Sequence, residues 1–156
     1  IVTLHADELT YPLHVMLRYK LERALLDGDL RVSDLPAAWN EEFSASFGIR
    51  PSTDTEGCLQ DIHWYDGAIG YFPTYTLGAL AAAQLFASAL KDLPNILDNI
   101  AGGDFSILLG WLRQKVHRLG SSCSTDEMMV KATGRPLSED SFIAHLNQRY
   151  FFILFV

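Results

Sequence analysis

The sequence predicts an all-α protein, and three observations support that prediction. Apolar residues recur at intervals of three and four along most of the chain, which is the spacing of helices with one buried face. Glycines and capping residues interrupt these stretches at helix-length intervals. Strand-like alternation of usable length is missing, with residues 150–156 as the one exception left open, and the chain has no internal repeat.

The first predicted helix covers residues 6–26, and Gly28 ends it as a C-terminal cap. Because Pro12 has no backbone N–H, this helix is expected to start or bend near Tyr11. Its predicted buried face consists of Leu9, Leu13, Met16, Leu17, Leu21, Ala24 and Leu25.

The second predicted helix begins with Ser33 as its cap and has Pro36 in its first turn. Gly48 ends it, and a polar loop over residues 50–57 follows. The side chains expected to point into the core are Leu35, Trp39, Phe43 and Phe47.

The rest of the chain predicts five more helices. The first covers residues 76–90, where a run of alanines with Gly78 should let a neighbouring helix approach closely. The others are residues 93–100, a helix capped by Asp104 and ended by Gly120, one from the capping box of Ser124 and Glu127 to Gly134, and a last one from about Ser138.

Composition narrows the class of protein. A chain of 156 residues is long enough for one domain with a sizeable core. The net charge is −7, and Lys and Arg are scattered, so nucleic acid is not an expected partner. The hydrophobic fraction of 49% is near the globular average, whereas the mean hydropathy of +0.10 is slightly apolar and indicates a surface that meets a partner.

The cysteines and the longest uncharged segment indicate the cellular compartment of the protein. Cys58 and Cys123 have neither metal-site spacing nor the density of a disulfide scaffold, which favours reduced thiols and a cytoplasmic protein. The longest uncharged run, residues 67–90, contains Pro73 and Gln84 and is a poor transmembrane span, so no membrane association is expected.

The segment with the richest chemistry is residues 57–75. Its polar and aromatic side chains include Gln60, Asp61, His63, Tyr65, Asp66, Tyr71 and Tyr75. Neutral imidazole and phenol donors suit a developing oxyanion, because they stabilise it without adding a permanent charge. Asp61 or Gln60 could fix the tautomer of His63 through a hydrogen bond. These residue types therefore indicate one wall of an active site.

A second interpretation of the same segment needs no chemistry. His63 and Trp64 would pack in the core, Asp61 would cap a helix, and the tyrosines would be core aromatics.

A metal site within this chain is a third possibility, because several residues are of ligand type: His5, Asp7, Glu8, His14 and His63. However, His5 and His14 lack the i, i+4 spacing of helical zinc ligands, and no HExxH motif occurs. Surface or core positions for the two histidines are favoured instead. Asp7 and Glu8 are functional carboxylates or simply favourable charges at a helix N-terminus.

Three segments resemble motifs of one enzyme family. Residues 57–64, GCLQDIHW, fit GxxQDxHW at every fixed position, and residues 70–78, GYFPTYTLG, are similar to the segment that follows it. Residues 2–7, VTLHAD, align with an IRxxAD motif through Ala6 and Asp7. With these motifs the chain resembles the C-terminal third of Taq-type metallocarboxypeptidases.

The resemblance implies a larger, mostly helical peptidase that removes C-terminal amino acids from peptides with zinc or cobalt, usually as a homodimer. Residues 1–156 would form the C-terminal helical part of its catalytic domain. The metal ligands, an HExxH pair and a downstream Glu, would lie before residue 1, in the remainder of the polypeptide. The Glu of that motif would activate a metal-bound water. The chain opens with Ile1 and no initiator Met, so a longer parent chain is expected.

The resemblance also implies roles for individual residues. His63 and Tyr71 would be catalytic and stabilise the oxyanion, with Tyr75 as a weaker substitute for Tyr71. Gln60 and Asp61 would orient His63 and help to bind the substrate, and Asp7 would shape the pocket floor.

Two features depart from the family pattern. Thr3 stands where the motif often has an Arg for the substrate carboxylate, and the apolar residues 150–156 are expected to dock on the missing portion or a second subunit.

The alternative from another class of function is a non-catalytic helical interaction domain, in which the apolar surplus forms a face for a partner.

Overall fold

The computed structural model of the chain describes residues 6–151, and their regular elements are all helical. The seven α-helices are α1 Tyr11–Asp27, α2 Leu35–Phe47, α3 Pro73–Asp92, α4 Ile96–Ala101, α5 Ser106–Lys115, α6 Thr125–Thr133 and α7 Asp140–Leu146. Short 3-10 turns at Val32–Asp34 and His117–Leu119 and a π-helical turn at Asn147–Phe151 complete them. The all-α prediction is confirmed.

The C-terminal residues left open as a strand begin inside that π-helical turn, at residues 150 and 151. The rest of that stretch lies outside the described residues. The chain divides into two compact units, Ile1–Leu77 and Gly78–Val156.

In the first unit, α1 begins at Tyr11 with Pro12 in its first turn, which agrees with the start expected from the sequence. Gly28 ends it with a φ of 81°, a left-handed conformation that glycine adopts without strain. Helix α2 ends in the same way at Gly48. Ser33 was wrong as its cap, because Ser33 lies within a 3-10 turn and its hydroxyl donates to Asp34, which occupies the N-cap position.

The core of this unit lies where α1 packs against α2 and against the segment that follows α2. Its buried apolar residues are Leu17, Leu21, Leu35, Trp39, Phe43 and Cys58. Trp39 and Phe43 are each 1% exposed, and full burial of such a side chain stabilises the fold by about 1.5–3 kcal/mol. Three of the four core positions predicted for α2 are therefore confirmed as buried, and Phe47 packs against the same cluster.

The prediction was less accurate for the buried face of α1. Met16 is 62% exposed, and Leu9 and Leu13 are also exposed. Instead, the buried face carries polar side chains, His14, Arg18 and Glu22, alongside Leu17 and Leu21. For Arg18 and Glu22 the reason lies in the segment after α2, which supplies their hydrogen-bonding partners.

Residues 48–72 contain turns and no regular helix or strand. Gly57 begins the segment of residues 57–75, called the motif segment below, at a point where backbone and side chains crowd together. A Cβ on Gly57 would lie 3.3 Å from the Thr53 carbonyl oxygen and 3.4 Å from the Trp39 ring. A larger residue here would push the motif segment away from α2.

The second unit has a smaller core of Ala89, Ile96 and Trp111. Gln84, 2% exposed, ties α3 to the turn after α6, because its amide donates to Thr133 Oγ1 and the Pro136 carbonyl and accepts from the Ser138 N–H, each at 2.9 Å. The close approach expected at Gly78 is not found, because a Cβ there would meet no described residue within 4 Å.

The helix boundaries of this unit follow the predicted caps in part. The capping box of Ser124 and Glu127 is confirmed, with both reciprocal hydrogen bonds formed. Asp104 Oδ1 accepts the N–H of Ser106, the first residue of α5, but α5 ends at Lys115 and a separate 3-10 turn leads to Gly120.

No helix among residues 6–151 combines the length and the apolar character that crossing a membrane would require. Cys58 and Cys123 are both free thiols.

Candidate functional site

A cavity of about 530 Å³ lies in the first unit, between the start of α1 and the motif segment. Its lining residues are Tyr11, Gln60, Asp61, Ile62, His63, Asp66, Ala68, Tyr71 and Tyr75. Five of the six predicted site residues are therefore gathered at one cavity; the sixth, Asp7, is not among its lining residues.

His63 and Tyr75 form the central polar contact of the cavity. His63 Nε2 lies 2.8 Å from the Tyr75 hydroxyl oxygen. The imidazole also packs against the Phe72 ring, with 4.6 Å between the ring centroids. Phe72 is buried, so it fixes the imidazole from the core side while Tyr75 fixes it from the cavity side.

Two tautomers can satisfy the contact between His63 and Tyr75. If Nε2 carries the proton, it donates to the phenol oxygen and leaves the phenol proton free for a ligand. If Nδ1 carries it, the phenol donates to Nε2. Nδ1 is buried and has no hydrogen-bond partner among residues 6–151. Because an unpaired buried N–H is rarer in proteins than an unpaired acceptor, the burial of Nδ1 favours the tautomer with the proton on Nε2.

Tyr71 and Tyr11 both pack against Tyr75. The Tyr71 ring meets the Tyr75 ring edge-on at a centroid distance of 5.3 Å, and the Tyr11 ring does so at 5.9 Å. Desolvation raises the pKa of Tyr75 and of Tyr11 above the ordinary value for a phenol. Both phenols therefore stay protonated at neutral pH and can donate hydrogen bonds.

Tyr71 differs from Tyr75 in its hydroxyl group. The Tyr71 ring lies 5.9 Å from the His63 ring, and its side chain is 48% exposed. Its hydroxyl forms no hydrogen bond with another residue of the described range 6–151. It is thus available to a molecule bound in the cavity.

Gln60 and Asp61 were expected to orient His63, and their hydrogen bonds run elsewhere. Asp61 Oδ2 accepts from Arg18 Nε at 2.6 Å. The Gln60 amide donates to the backbone carbonyls of Glu56 and Gly57, at 3.0 and 3.1 Å. The orientation of His63 therefore comes from Tyr75 and Phe72, while Gln60 holds the turn that precedes it.

Arg18 is the partner of Asp61 that the sequence interpretation missed. Its side chain is wholly buried, and it also donates to the His14 carbonyl at 2.9 Å. The guanidinium lies over the Trp39 ring at 4.8 Å and near the Phe72 ring at 5.6 Å. Burial lowers the pKa of Arg18, and the Asp61 carboxylate opposes that change.

One signal in the sequence could have revealed this network. His14, Arg18 and Glu22 recur every four residues, so they share one face of α1 with Leu17 and Leu21. Polar residues in such a ladder on an otherwise apolar face indicate specific buried partners.

His14 is a core residue and lies outside the cavity lining. It is 1% exposed and packs against the rings of Phe43 and Phe47. Burial, followed by the positive charge of Arg18, lowers the pKa of His14 to about 4. The imidazole is therefore neutral at physiological pH.

Glu22 connects α1 to the far end of the motif segment. It is 4% exposed, and its two oxygens accept hydrogen bonds from Trp64 Nε1–H and from the Gly70 N–H, both at 2.7 Å. Trp64 is thus the second motif residue, after Asp61, that α1 anchors through a polar side chain.

Asp7 has a local structural role. Its Oδ1 accepts from the Thr10 N–H at 2.8 Å and from the Leu9 N–H at 3.0 Å. The hydrogen bond from the Thr10 backbone is the main reason why the pKa of Asp7 is lowered. Asp7 thereby stabilises the turn that leads into α1. Thr3 and His5 lie outside the described residues.

The described residues do not fit a metal ion. Within residues 6–151, no group of three or more His, Cys, Asp or Glu side chains is arranged to hold one. His63 and Asp61, the nearest candidates by residue type, are engaged by Tyr75 and Arg18.

Comparison with known proteins relates this site to a family. The sequence profile of the carboxypeptidase Taq (M32) metallopeptidase family matches residues 1–150. Thermostable carboxypeptidase 1 of Pyrococcus furiosus is 43% identical over 145 residues, which are 93% of this chain and 29% of that protein. Carboxypeptidase 1 of Bacillus subtilis is 42% identical over 149 residues, which are 96% of this chain and 30% of that protein.

Solved structures give the same result. The M32 carboxypeptidase of Deinococcus radiodurans is similar with a TM-score of 0.94 and 40% identity, over 99% of this chain and 31% of that one. Metallocarboxypeptidase 1 of Trypanosoma cruzi is similar with a TM-score of 0.92 and 44% identity, over 96% of this chain and 32% of that one. The chain thus spans about a third or less of each of these four proteins. It belongs to the carboxypeptidase Taq (M32) metallopeptidase family.

Proposed function

We propose that this chain is the C-terminal part of a metal-dependent carboxypeptidase, and that it supplies the wall that binds the substrate and stabilises the oxyanion. The observation that carries the proposal is the hydrogen bond between His63 and Tyr75 beside the available Tyr71 hydroxyl, in one cavity of about 530 Å³. Membership of a metallopeptidase family and relatives named carboxypeptidase support the reaction class.

The donors of this wall are neutral, which suits the chemistry. A tetrahedral intermediate at a peptide carbonyl carries negative charge on one oxygen, and preorganised donors stabilise it most where water is excluded. Tyr71 would donate its free hydroxyl proton directly. His63, with its proton on Nε2, would donate to Tyr75, which polarises the phenol and strengthens the hydrogen bond that Tyr75 gives to the oxyanion.

Arg18 and Asp61 would shape the same wall without taking part in proton transfer. Because Arg18 neutralises Asp61, the cavity floor presents no uncompensated negative charge from that residue to a developing oxyanion. Gln60 would hold the preceding turn, and with Asp61 and Tyr75 it would contact the bound peptide.

The metal of the intact enzyme, zinc or cobalt, would be bound by residues outside this chain, since the described residues offer no site for it. We further propose that the intact protein is a homodimer in the cytoplasm.

The test is the substitution His63→Ala in the intact protein, assayed on N-blocked peptides for release of the C-terminal amino acid. We expect turnover to fall by about 10²–10³, the usual effect of losing one preorganised donor, while bound metal is unchanged. His117→Ala, an exposed histidine that does not line the cavity, is the matched control. Unchanged turnover in His63→Ala would contradict the assigned role, and an inactive wild-type protein would favour the interaction-domain alternative.

A further inference from the structure

Glu22 holds together two points of the chain that lie on either side of a short loop. One oxygen of its carboxylate accepts from the Trp64 indole N–H and the other from the Gly70 backbone N–H, each at 2.7 Å. The loop between them, residues 65–69, contributes Asp66 and Ala68 to the cavity lining. A single side chain on α1 therefore sets the distance between the two ends of this loop.

The residues just outside the two anchor points are the proposed donors. His63 directly precedes Trp64, and Tyr71 directly follows Gly70. The loop has its own backbone hydrogen bonds, from Ala68 N–H to the His63 carbonyl at 2.8 Å and from Asp66 N–H to the Ile62 carbonyl at 3.0 Å. Those bonds shape the loop from within, whereas Glu22 fixes both of its ends to the rigid helix α1.

The choice of a carboxylate at this position calls for a specific explanation. Glu22 is 4% exposed, and burying a carboxylate is costly unless its oxygens are well paired. An apolar side chain could fill the same space next to Leu21, but it would remove the acceptors of the indole N–H and of the Gly70 N–H. Gly70 also has a φ of 77°, so its N–H points where most residues could not direct it without strain.

We propose that Glu22 is a positioning residue, which sets the placement of His63 and Tyr71 by clamping Trp64 and Gly70 to α1. This inference rests on the proposed function, because it assigns to Glu22 the geometry of the oxyanion wall. Glu22 itself does not line the cavity, so it acts through Trp64 and Gly70.

The experiment compares Glu22→Gln and Glu22→Leu in the intact protein. Gln keeps one acceptor oxygen but presents an N–H group to the other donor, whereas Leu removes both acceptors. For Glu22→Leu we expect kcat to fall about 10- to 100-fold, the range for partners that orient active-site groups, with KM changed less than about threefold. Glu22→Gln should be intermediate, and it provides the test if the Leu variant does not fold.

Two further variants separate positioning from general stability. Gln84→Leu removes an equally buried polar clamp in the second unit and should lower the unfolding temperature with kcat unchanged. Trp64→Phe removes the indole donor, so adding it to Glu22→Gln should recover part of kcat, because the Gln N–H then no longer faces an N–H group. A kcat loss in Gln84→Leu equal to that in Glu22→Leu would overturn the inference.

Amide hydrogen exchange at Gly70 keeps this test independent of the proposed function. In the wild-type protein, exchange at Gly70 should be slow because a buried carboxylate accepts its N–H, and in Glu22→Leu it should become fast while the core of α2 stays protected. Slow exchange in Glu22→Leu would overturn the clamp even if the protein proved not to be a carboxypeptidase.

Discussion

Arg18 and Asp61 form a buried ion pair that joins α1 to the motif segment, with 2.6 Å between Arg18 Nε and Asp61 Oδ2. The Arg18 side chain is wholly buried, and that of Asp61 is 15% exposed. Their separation of 43 positions in sequence makes the pair a long-range link. It holds the residue before Ile62 and His63 against the helix that carries Tyr11.

Breaking this pair should destabilise the fold strongly. We expect Arg18→Met to lower the free energy of unfolding by about 3–5 kcal/mol, because it leaves a largely buried carboxylate without its partner. Adding Asp61→Leu should recover most of that loss, since the double variant buries no unpaired charge. Urea unfolding followed by tryptophan fluorescence measures both changes.

The exposed pair of Arg23 and Asp27 is the control for this prediction. Its side chains are 58% and 51% exposed, and the two residues are four apart on α1. Arg23→Ala should leave the free energy of unfolding almost unchanged, because exposed helical ion pairs contribute little to stability. Equal costs for Arg18→Met and Arg23→Ala would show that burial of the Arg18 pair has no energetic consequence.

The buried imidazole of His14 predicts a loss of stability in acid. Its pKa in the folded protein is about 4, below the ordinary 6.5 that applies to the unfolded chain, so the unfolded state binds the proton more tightly. The contribution is fully present above pH 6.5 and is lost as the pH falls from 6.5 towards 4, by roughly 3 kcal/mol in all. Urea unfolding at intervals between pH 7 and pH 4 measures this slope.

His14→Gln is the matched variant, because its amide does not titrate. The other titratable groups are the same in both proteins, so the difference between the two slopes isolates His14. Identical slopes would contradict the lowered pKa, because they would mean that His14 has the same pKa in the folded and the unfolded protein.

Substitutions of the three donors of the cavity, His63, Tyr75 and Tyr71, should reduce kcat in ways that combine differently. If His63 acts through Tyr75, then Tyr75→Phe and His63→Ala should each reduce kcat by about 10²–10³, and the double variant should lose little more than the worse single variant. Tyr71→Phe should reduce kcat by a similar factor that multiplies with either of them, because the Tyr71 hydroxyl is bonded to neither group. Multiplicative losses for His63 and Tyr75 would contradict the coupling.

Metal binding should depend on residues that this chain does not contain. Equilibrium dialysis of the isolated 156-residue chain against zinc should show no stoichiometric binding, and zinc should not confer peptidase activity on it. Treating the intact protein with a chelator should abolish activity, and zinc or cobalt should restore it. One tightly bound zinc per isolated chain, or activity from that chain, would refute the proposal that its ligands lie elsewhere.

Much of the local structure could be predicted from the sequence. Helix ends at Gly28, Gly48 and Gly134 followed from residues that favour a left-handed cap, and the capping box of Ser124 and Glu127 followed from two side chains three positions apart. Such features depend on neighbouring residues, because capping hydrogen bonds join groups that lie within one helical turn of each other. The same holds for the segment of residues 57–75, whose unusual side chains stand close together in the sequence.

The helical class, most helix ends and the segment of the candidate site can be derived from the sequence, because they depend on residues that are close together along the chain. The partners of the polar groups depend on the tertiary structure: Tyr75 for His63, Arg18 for Asp61, and Trp64 with Gly70 for Glu22. These contacts join residues between 12 and 48 positions apart, so they depend on the path of a loop without regular structure. The spacing of apolar residues does not predict that path. It predicts a buried apolar face, whereas polar side chains of α1 are buried because the loop supplies their hydrogen-bonding partners.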